Sequence, residues 1–402
     1  MIISRYNWIL FSILLFLTVH LRIFSLGEFE ISLGILLFPI WLILTFRSSV
    51  TKFSRNSIYF YLVLVFLPFL NFLFVISYSF FFKSLFYYYF SITLIFIFWY
   101  KREIKISFLH VKDFLKIFQI LLLLISSLQF YTVTISQTEM FFNLFGNLQM
   151  KEGVFEASNA WFRVKSVYLE PSYFAFVLIS LFVSDVLLKY KITFLNFCLT
   201  SIMLYYTGSS FGLVTYCLLI FYWLAFVLNI QYLRYFIIFG SAIFISINFT
   251  NLLILTRLSE VITSELVFNN ELSSGFMRLI LPMYILLFIF SNGTFLGIPL
   301  GNLNLYLEVN KFYYSDILSI HNGLFAFFIY FGIIAILVFI ILFYKFFKVS
   351  KLFQFFIIFF VLGLMNSGSI FYPLTYLFLL ILPLTCIQLD KEKNNKYYNY
   401  LL

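Results

Sequence analysis

The chain has 402 residues, 63% of them hydrophobic and only 10% charged, with a formal net charge of +10 and a mean hydropathy of +1.03. That composition excludes a water-soluble enzyme, and since each spanning helix takes about 20 apolar residues, little chain is left for a soluble domain. Continuous apolar runs without period-two alternation exclude an outer-membrane barrel and predict an all-α polytopic membrane protein.

In chain order, hydropathy predicts twelve spans, at 6–21, 31–46, 58–80, 84–100, 113–135, 167–188, 192–207, 211–228, 233–255, 322–344, 352–366 and 371–388. The first follows Arg5 like a signal sequence, but no small-residue cleavage site comes after it, so a retained span is expected. A further apolar run, 279–291, contains Pro282 and as a helix reaches about 20 Å across a core of about 30 Å. It is expected to lie in, or dip into, the outer interface.

Charge placement orients this arrangement. With both termini in the cytoplasm, only Arg22, Lys83, Lys151, Arg163, Lys165, Arg257, Arg278 and Lys311 of the 26 Lys and Arg fall outside, whereas 11 of the 16 Asp and Glu do. That asymmetry is what the positive-inside rule demands. The positive charges thus read as topology determinants, and no nucleic-acid partner is expected. Residues 1–402 read as a single integral membrane domain with two large outer loops, 136–166 and 256–321, the second carrying the short helix at 279–291. Function is expected in those loops.

Cys198, Cys217 and Cys386 sit in apolar runs without paired spacing, and small core residues are expected there. The sequence shows no metal-ligand spacing, no phosphate-binding Gly-rich loop after a strand and no G-x-S-x-G elbow, so neither a metal nor a cofactor is expected.

Four positions stand out for chemistry. Glu170 precedes Pro171 at the start of a span, where the positive helix end favours an ionised carboxylate. It can be a helix cap or a functional acid–base group. Arg163 lies seven residues before it. Arg278 opens the interfacial run, either as a snorkelling anchor or as a ligand for an anion. His321 stands before the tenth span, followed by Asn322, which can cap that helix. His321 itself is either structural or a proton acceptor on the outer face. Outward-facing arginines beside a bilayer suit a lipid-linked phosphate or pyrophosphate, held by bidentate hydrogen bonds.

Several segments, in their order and sidedness, resemble the bacterial O-antigen polymerase (Wzy-type) and O-antigen ligase superfamily. They are Arg163 followed by Tyr168-Leu169-Glu170-Pro171-Ser172-Tyr173-Phe174-Ala175; Thr207-Gly208-Ser209-Ser210-Phe211-Gly212; Arg278 before the short apolar helix; Leu296-Gly297-Ile298-Pro299-Leu300-Gly301-Asn302; His321-Asn322-Gly323-Leu324; and Phe331-Gly332-Ile333. The likeness covers roughly residues 110–390. In one departure, many members, ligases especially, carry Arg after Thr-Gly-Ser, where this chain has Ser210.

The resemblance implies a metal-independent inverting glycosyltransferase of GT-C-like architecture in the bacterial inner membrane. It would move a growing glycan from undecaprenyl pyrophosphate onto the sugar of an incoming lipid-linked repeat unit, beside a chain-length regulator. By position, Arg163 and Arg278 would hold pyrophosphate, and His321 or Glu170 would deprotonate the acceptor hydroxyl. Asn322 would orient His321 or the sugar, with Tyr168, Tyr313 and Tyr314 as sugar contacts. An O-antigen ligase is the nearest alternative, but the outer loop is acidic (Glu260, Glu265, Glu271, Glu308, Asp316), which suits it less well. A lipid-linked oligosaccharide flippase should carry charge mid-span, and here the mid-span polar groups are mostly neutral, such as Asn71, Gln119, Gln129 and Asn196.

Overall fold

The structure is a computed structural model that describes residues 4–26, 29–46, 55–100, 104–132, 157–158, 161–162, 164–168, 170–228, 278, 281–312, 322–348, 350–366 and 372–394. The span predicted at 233–255 lies outside the described residues. The elements in order are α1 (Arg5–Leu17), β1 (Arg22–Leu26), β2 (Phe29–Ser32), α2 (Leu33–Thr45), α3 (Arg55–Phe66), α4 (Tyr78–Tyr100), α5 (Phe108–Phe130), β3 (Ala157–Ser158), β4 (Trp161–Phe162), α6 (Pro171–Lys189), α7 (Phe194–Thr207), α8 (Ser210–Tyr222), α9 (Leu281–Ser291), α10 (Leu303–Val309), α11 (Gly323–Phe347), α12 (Lys351–Asn366), α13 (Pro373–Tyr376) and α14 (Leu382–Asn394).

Among the described residues, Pro171–Lys189, Ser210–Val227 and Gly323–Ile341 are helical stretches long and apolar enough to cross a membrane, and shorter apolar helices accompany them. The protein is an all-α membrane protein; the strands among the described residues are two short antiparallel pairs, β1–β2 and β3–β4.

The chain forms two compact units. The first comprises Met1–Phe53, Thr93–Leu213 and Pro373–Leu402. Its centre is α6, whose apolar residues run round the whole helix and leave no polar face for the outside; from Phe174 to Leu188 every side chain is buried, Asp185 included. Polar groups tie the neighbouring helices to it. Gln119 Nε2 on α5 donates to Asn196 Oδ1 on α7 at 2.7 Å, and Asn196 Nδ2 donates to the Phe182 carbonyl at 3.3 Å. Ser180 Oγ donates to the Phe378 carbonyl at 2.6 Å, which lies in the wide π turn Leu377–Ile381. That turn stands where Pro383, lacking an N–H, disrupts regular α-helix bonding. Further out, Trp8 Nε1 donates to Thr45 Oγ1 at 3.1 Å and Trp41 Nε1 to Ser12 Oγ at 2.9 Å, locking α1 against α2.

The second unit comprises Ser54–Ile92 and Val214–Tyr372, and here the boundaries depart from the hydropathy reading. The run expected to continue to residue 80 leaves α-helical geometry at Phe66, passes through a 3-10 segment, Leu67–Phe74, and restarts as α4 at Tyr78. Pro68 is the cause, since its ring and missing N–H break bonding to the carbonyl of Leu64. The Leu64 carbonyl accepts instead from Tyr88 Oη at 2.8 Å, and the Val65 carbonyl from Tyr89 Oη at 2.9 Å.

Fully buried Asn302 holds the restart in place. Its Oδ1 accepts from the backbone N–H groups of Ile76 and Ser77 at 3.2 and 2.6 Å, and its Nδ2 donates to the carbonyls of Leu300 and Ser77 at 3.0 and 3.2 Å. Asn302→Ala would leave both N–H groups without this acceptor, so a loss of about 2 kcal/mol or more is expected. A fall in the thermal unfolding midpoint in detergent would show it; an unchanged midpoint would mean the clasp carries no stability.

The tenth predicted span is not one straight rod. α11 breaks at Gly332, whose φ of 57° and ψ of −145° are open only to glycine. The Gly-rich turn after α9 fits into the break. Ile298 N–H donates to the Ile329 carbonyl and Ile333 N–H to the Phe295 carbonyl, both at 2.9 Å. Asn71 Nδ2 adds a bond to the Leu296 carbonyl at 2.8 Å. The irregular backbone is thus hydrogen-bonded within protein, the condition for tolerating it at membrane depth. Apolar packing of Leu281, Ile285, Ile289, Ile298, Leu303 and Ile329 completes this corner. α9 itself has 11 residues, or about 16 Å of rise.

The cysteine expectation holds for Cys386, which is buried, and is corrected for Cys198, which is half-buried, and for Cys217, which is exposed because α8 presents a face away from the packed interior, and an apolar run does not say which face that is.

Candidate functional site

In the first unit, the turn entering α6 meets the turn between α7 and α8. Val164 N–H donates to the Tyr206 carbonyl at 3.0 Å, bringing together two motifs far apart in sequence. Thr207-Gly208-Ser209 serves as helix punctuation: Gly208 is left-handed at the end of α7, with φ 55°, and Ser209 Oγ accepts from Gly212 N–H at 3.2 Å as the N-cap of α8. Gly212 is needed because a Cβ there would stand 2.8 Å from the Ala175 Cβ of α6.

Glu170 is exposed and occupies the N-cap position of α6 without a side-chain cap. Its Oε2 accepts from Ser172 Oγ at 3.0 Å. The helix thus uses Pro171 for its start and leaves the carboxylate outside the backbone capping role. Tyr168 is fully buried, stacked on Phe174 with ring centres 5.6 Å apart, and its hydroxyl donates to the Phe16 carbonyl at 3.3 Å. Ser166, in a left-handed conformation of φ 55°, donates its N–H to Gln129 Oε1 at 2.7 Å. Lys165 beside it is buried, and burial holds its ammonium pKa below the usual lysine value. Arg163 lies outside the described residues.

In the second unit, Arg278 is 6% exposed, so it does not snorkel to solvent. Its Nη1 donates to Asn366 Oδ1 at 2.7 Å, and its carbonyl accepts from Asn322 Nδ2 at 2.7 Å. Asn322 Oδ1 accepts from Phe325 N–H at 3.1 Å. This one buried carboxamide therefore caps α11 and holds the backbone of Arg278, which accounts for an asparagine at the position. A guanidinium carries five N–H donors and no acceptor, and placed under little water it presents a strong field to an anion. His321, Tyr313 and Tyr314 lie outside the described residues.

Asn366 escaped the sequence reading. The signal was slight, a lone amide at the end of an apolar run, and only the packing of α12 shows that it faces Arg278. Gln129 and Lys165 were likewise counted only as a mid-span polar group and an outer charge.

A protein-family model, described as WcaD colanic acid polymerase, matches residues 8–388. The chain belongs to that family. No curated protein and no solved structure matches it. The WcaD family match spans both units and nearly the whole chain, in agreement with the resemblance to Wzy-type polymerases. Membership in the WcaD family makes the protein a polysaccharide polymerase, a glycosyltransferase-type enzyme of the membrane.

Proposed function

We propose that the protein extends a bacterial O-antigen or capsular polysaccharide at the outer face of the inner membrane, within a twelve-span GT-C-like arrangement whose termini are cytoplasmic. A growing glycan is transferred from undecaprenyl pyrophosphate to a hydroxyl of the incoming lipid-linked repeat unit, with inversion, and a chain-length regulator is a further partner. The observation that supports this most is Arg278. It is a buried donor-only group, clamped at both side chain and backbone, in the second outer loop of a polymerase-family chain.

The roles are assigned residue by residue. Arg278 and Arg163 bind pyrophosphate and stabilise the charge that grows on it as the glycosidic bond breaks. His321 or Glu170 takes the proton of the acceptor hydroxyl. Tyr313 and Tyr314 contact sugar. Pyrophosphate is already a good leaving group, so positioning and electrostatics suffice without a covalent enzyme intermediate.

The test is the length profile of surface polysaccharide on a gel, in a strain lacking the protein and in the same strain complemented with His321→Ala. Single-repeat glycans in the deletion strain are expected, and the variant should not restore long chains. Long chains accumulating on lipid at the outer leaflet would instead mean a ligase, and single units held at the inner leaflet a flippase. Arg163→Ala is expected to behave like the deletion while inserting normally; near-normal chains would remove Arg163 from the mechanism.

A further inference from the structure

Asn366 is the last residue of α12 and 4% exposed. Its amide orientation follows from chemistry. Arg278 Nη1 stands 2.7 Å from one end of the amide, and a guanidinium can only donate, so that end is the oxygen; a nitrogen there would oppose donor to donor. The NH2 group is then the other end of the amide, beside the oxygen in the same plane. There it is buried, and Nδ2 finds no acceptor among the described residues.

An unsatisfied buried donor costs stability, and native proteins seldom keep one without a use. Asn322 Oδ1 accepts from Phe325 N–H and makes no bond to Nδ2 of Asn366. Planarity keeps the two ends of the Asn366 amide within one hydrogen bond's length of each other. An oxygen that accepts from the Nδ2 hydrogen on the Oδ1 side can therefore also accept from the N–H fork of Arg278. Two side chains offering only donors to one point suit an oxyanion with several lone pairs, and a phosphate is the oxyanion that Arg forks fit best.

We propose that Asn366 is a phosphate-binding residue with two tasks: Oδ1 fixes the guanidinium of Arg278, and Nδ2–H donates to the phosphate oxygen that this guanidinium holds. The assignment rests on the reading of Arg278 given above and adds a ligand that no motif marks. The ligand class is a pyrophosphate, carried on a polyprenyl lipid or free in solution.

The variant that separates the two tasks is Asn366→Asp. A carboxylate of nearly the same shape keeps an oxygen for Arg278 but puts a negative oxygen where the N–H donor was. The full-length protein in nanodiscs is titrated with undecaprenyl pyrophosphate and, in parallel, with inorganic pyrophosphate, reading the ligand-induced rise in unfolding midpoint. For Asn366→Asp the expected result is at least a tenfold loss of affinity with an unliganded midpoint at or above that of the natural protein. Asn366→Ala, which removes both amide ends, is expected to show a similar loss, and it is the variant to read if the aspartate form does not fold. Loss toward both probes places the contact on the pyrophosphate itself; loss toward the lipid-linked probe alone places it on a headgroup presented from the bilayer. Undiminished affinity in Asn366→Asp and Asn366→Ala, with Arg278→Ala defective, overturns the role of Asn366 and leaves that of Arg278 standing. Undiminished affinity in Arg278→Ala overturns both.

Discussion

Gly332→Val is expected to yield almost no folded protein. The residue sits in the middle of α11 at φ 57° and ψ −145°, a region closed to any residue with a Cβ. A Cβ built there stands 2.1 Å from the Phe295 carbonyl oxygen and 2.5 Å from the Leu296 carbonyl carbon. These neighbours are backbone, and they cannot yield cheaply, because the Phe295 carbonyl is the acceptor for Ile333 N–H and the Ile329 carbonyl the acceptor for Ile298 N–H. Relieving the clash breaks the bonds that satisfy the interrupted helix. The combined cost is expected to exceed about 4 kcal/mol, a large share of the stability of an ordinary domain. Fluorescence-detected size exclusion of a tagged protein reads the result directly. Gly293→Ala is the control: its φ is 75°, and nothing lies within 4 Å of the added Cβ, so only the left-handed penalty of about 1 kcal/mol applies. If the two variants unfold at the same temperature, the turn does not depend on its fit into α11.

Arg278→Ala is expected to abolish chain extension while leaving membrane insertion intact. Loss of one preorganised charge-stabilising donor typically lowers a rate by about 100-fold or more, and here the lost group is a whole guanidinium. Arg278→Lys is expected to recover little, since an ammonium lacks the planar fork that can engage Asn366 and a phosphate together. The measurement is polymer length and rate with purified enzyme and lipid-linked repeat units, beside a membrane-fraction blot for expression. Polymerisation within a few-fold of normal in Arg278→Ala would remove this residue from catalysis. Arg278 also carries a backbone contact from Asn322, which the alanine variant retains, while Asn366 Oδ1 loses its donor; the membrane-fraction blot separates loss of chemistry from loss of fold.

The sequence alone determined the class of molecule. Composition requires a membrane, and apolar run lengths place most of the described helices within a few residues. Those signals are local: an apolar run reports what it is surrounded by, whether lipid or protein. The sequence also marked Arg278 and Asn322 as special, because charge and amide at the mouth of a span are costly without a partner. Their partners were not legible. Asn366 lies 88 residues beyond Arg278, and Gln129 lies 37 residues before Ser166, distances over which no periodicity carries information. The break in α11 illustrates the same limit. Gly332 in an apolar run reads as a tolerated glycine until the turn at Phe295–Gly297 is placed against it, and what decides between a straight helix and a broken one is a pair of backbone hydrogen bonds that form only when two distant segments meet. Pro68 lies inside the run read as one span at 58–80, and the tyrosines that donate to the freed carbonyls, Tyr88 and Tyr89, come from the next helix. Side-chain chemistry was therefore readable one residue at a time, while the pairing of buried polar groups belongs to the tertiary structure, because burial removes water and each such group must then find its partner within the protein.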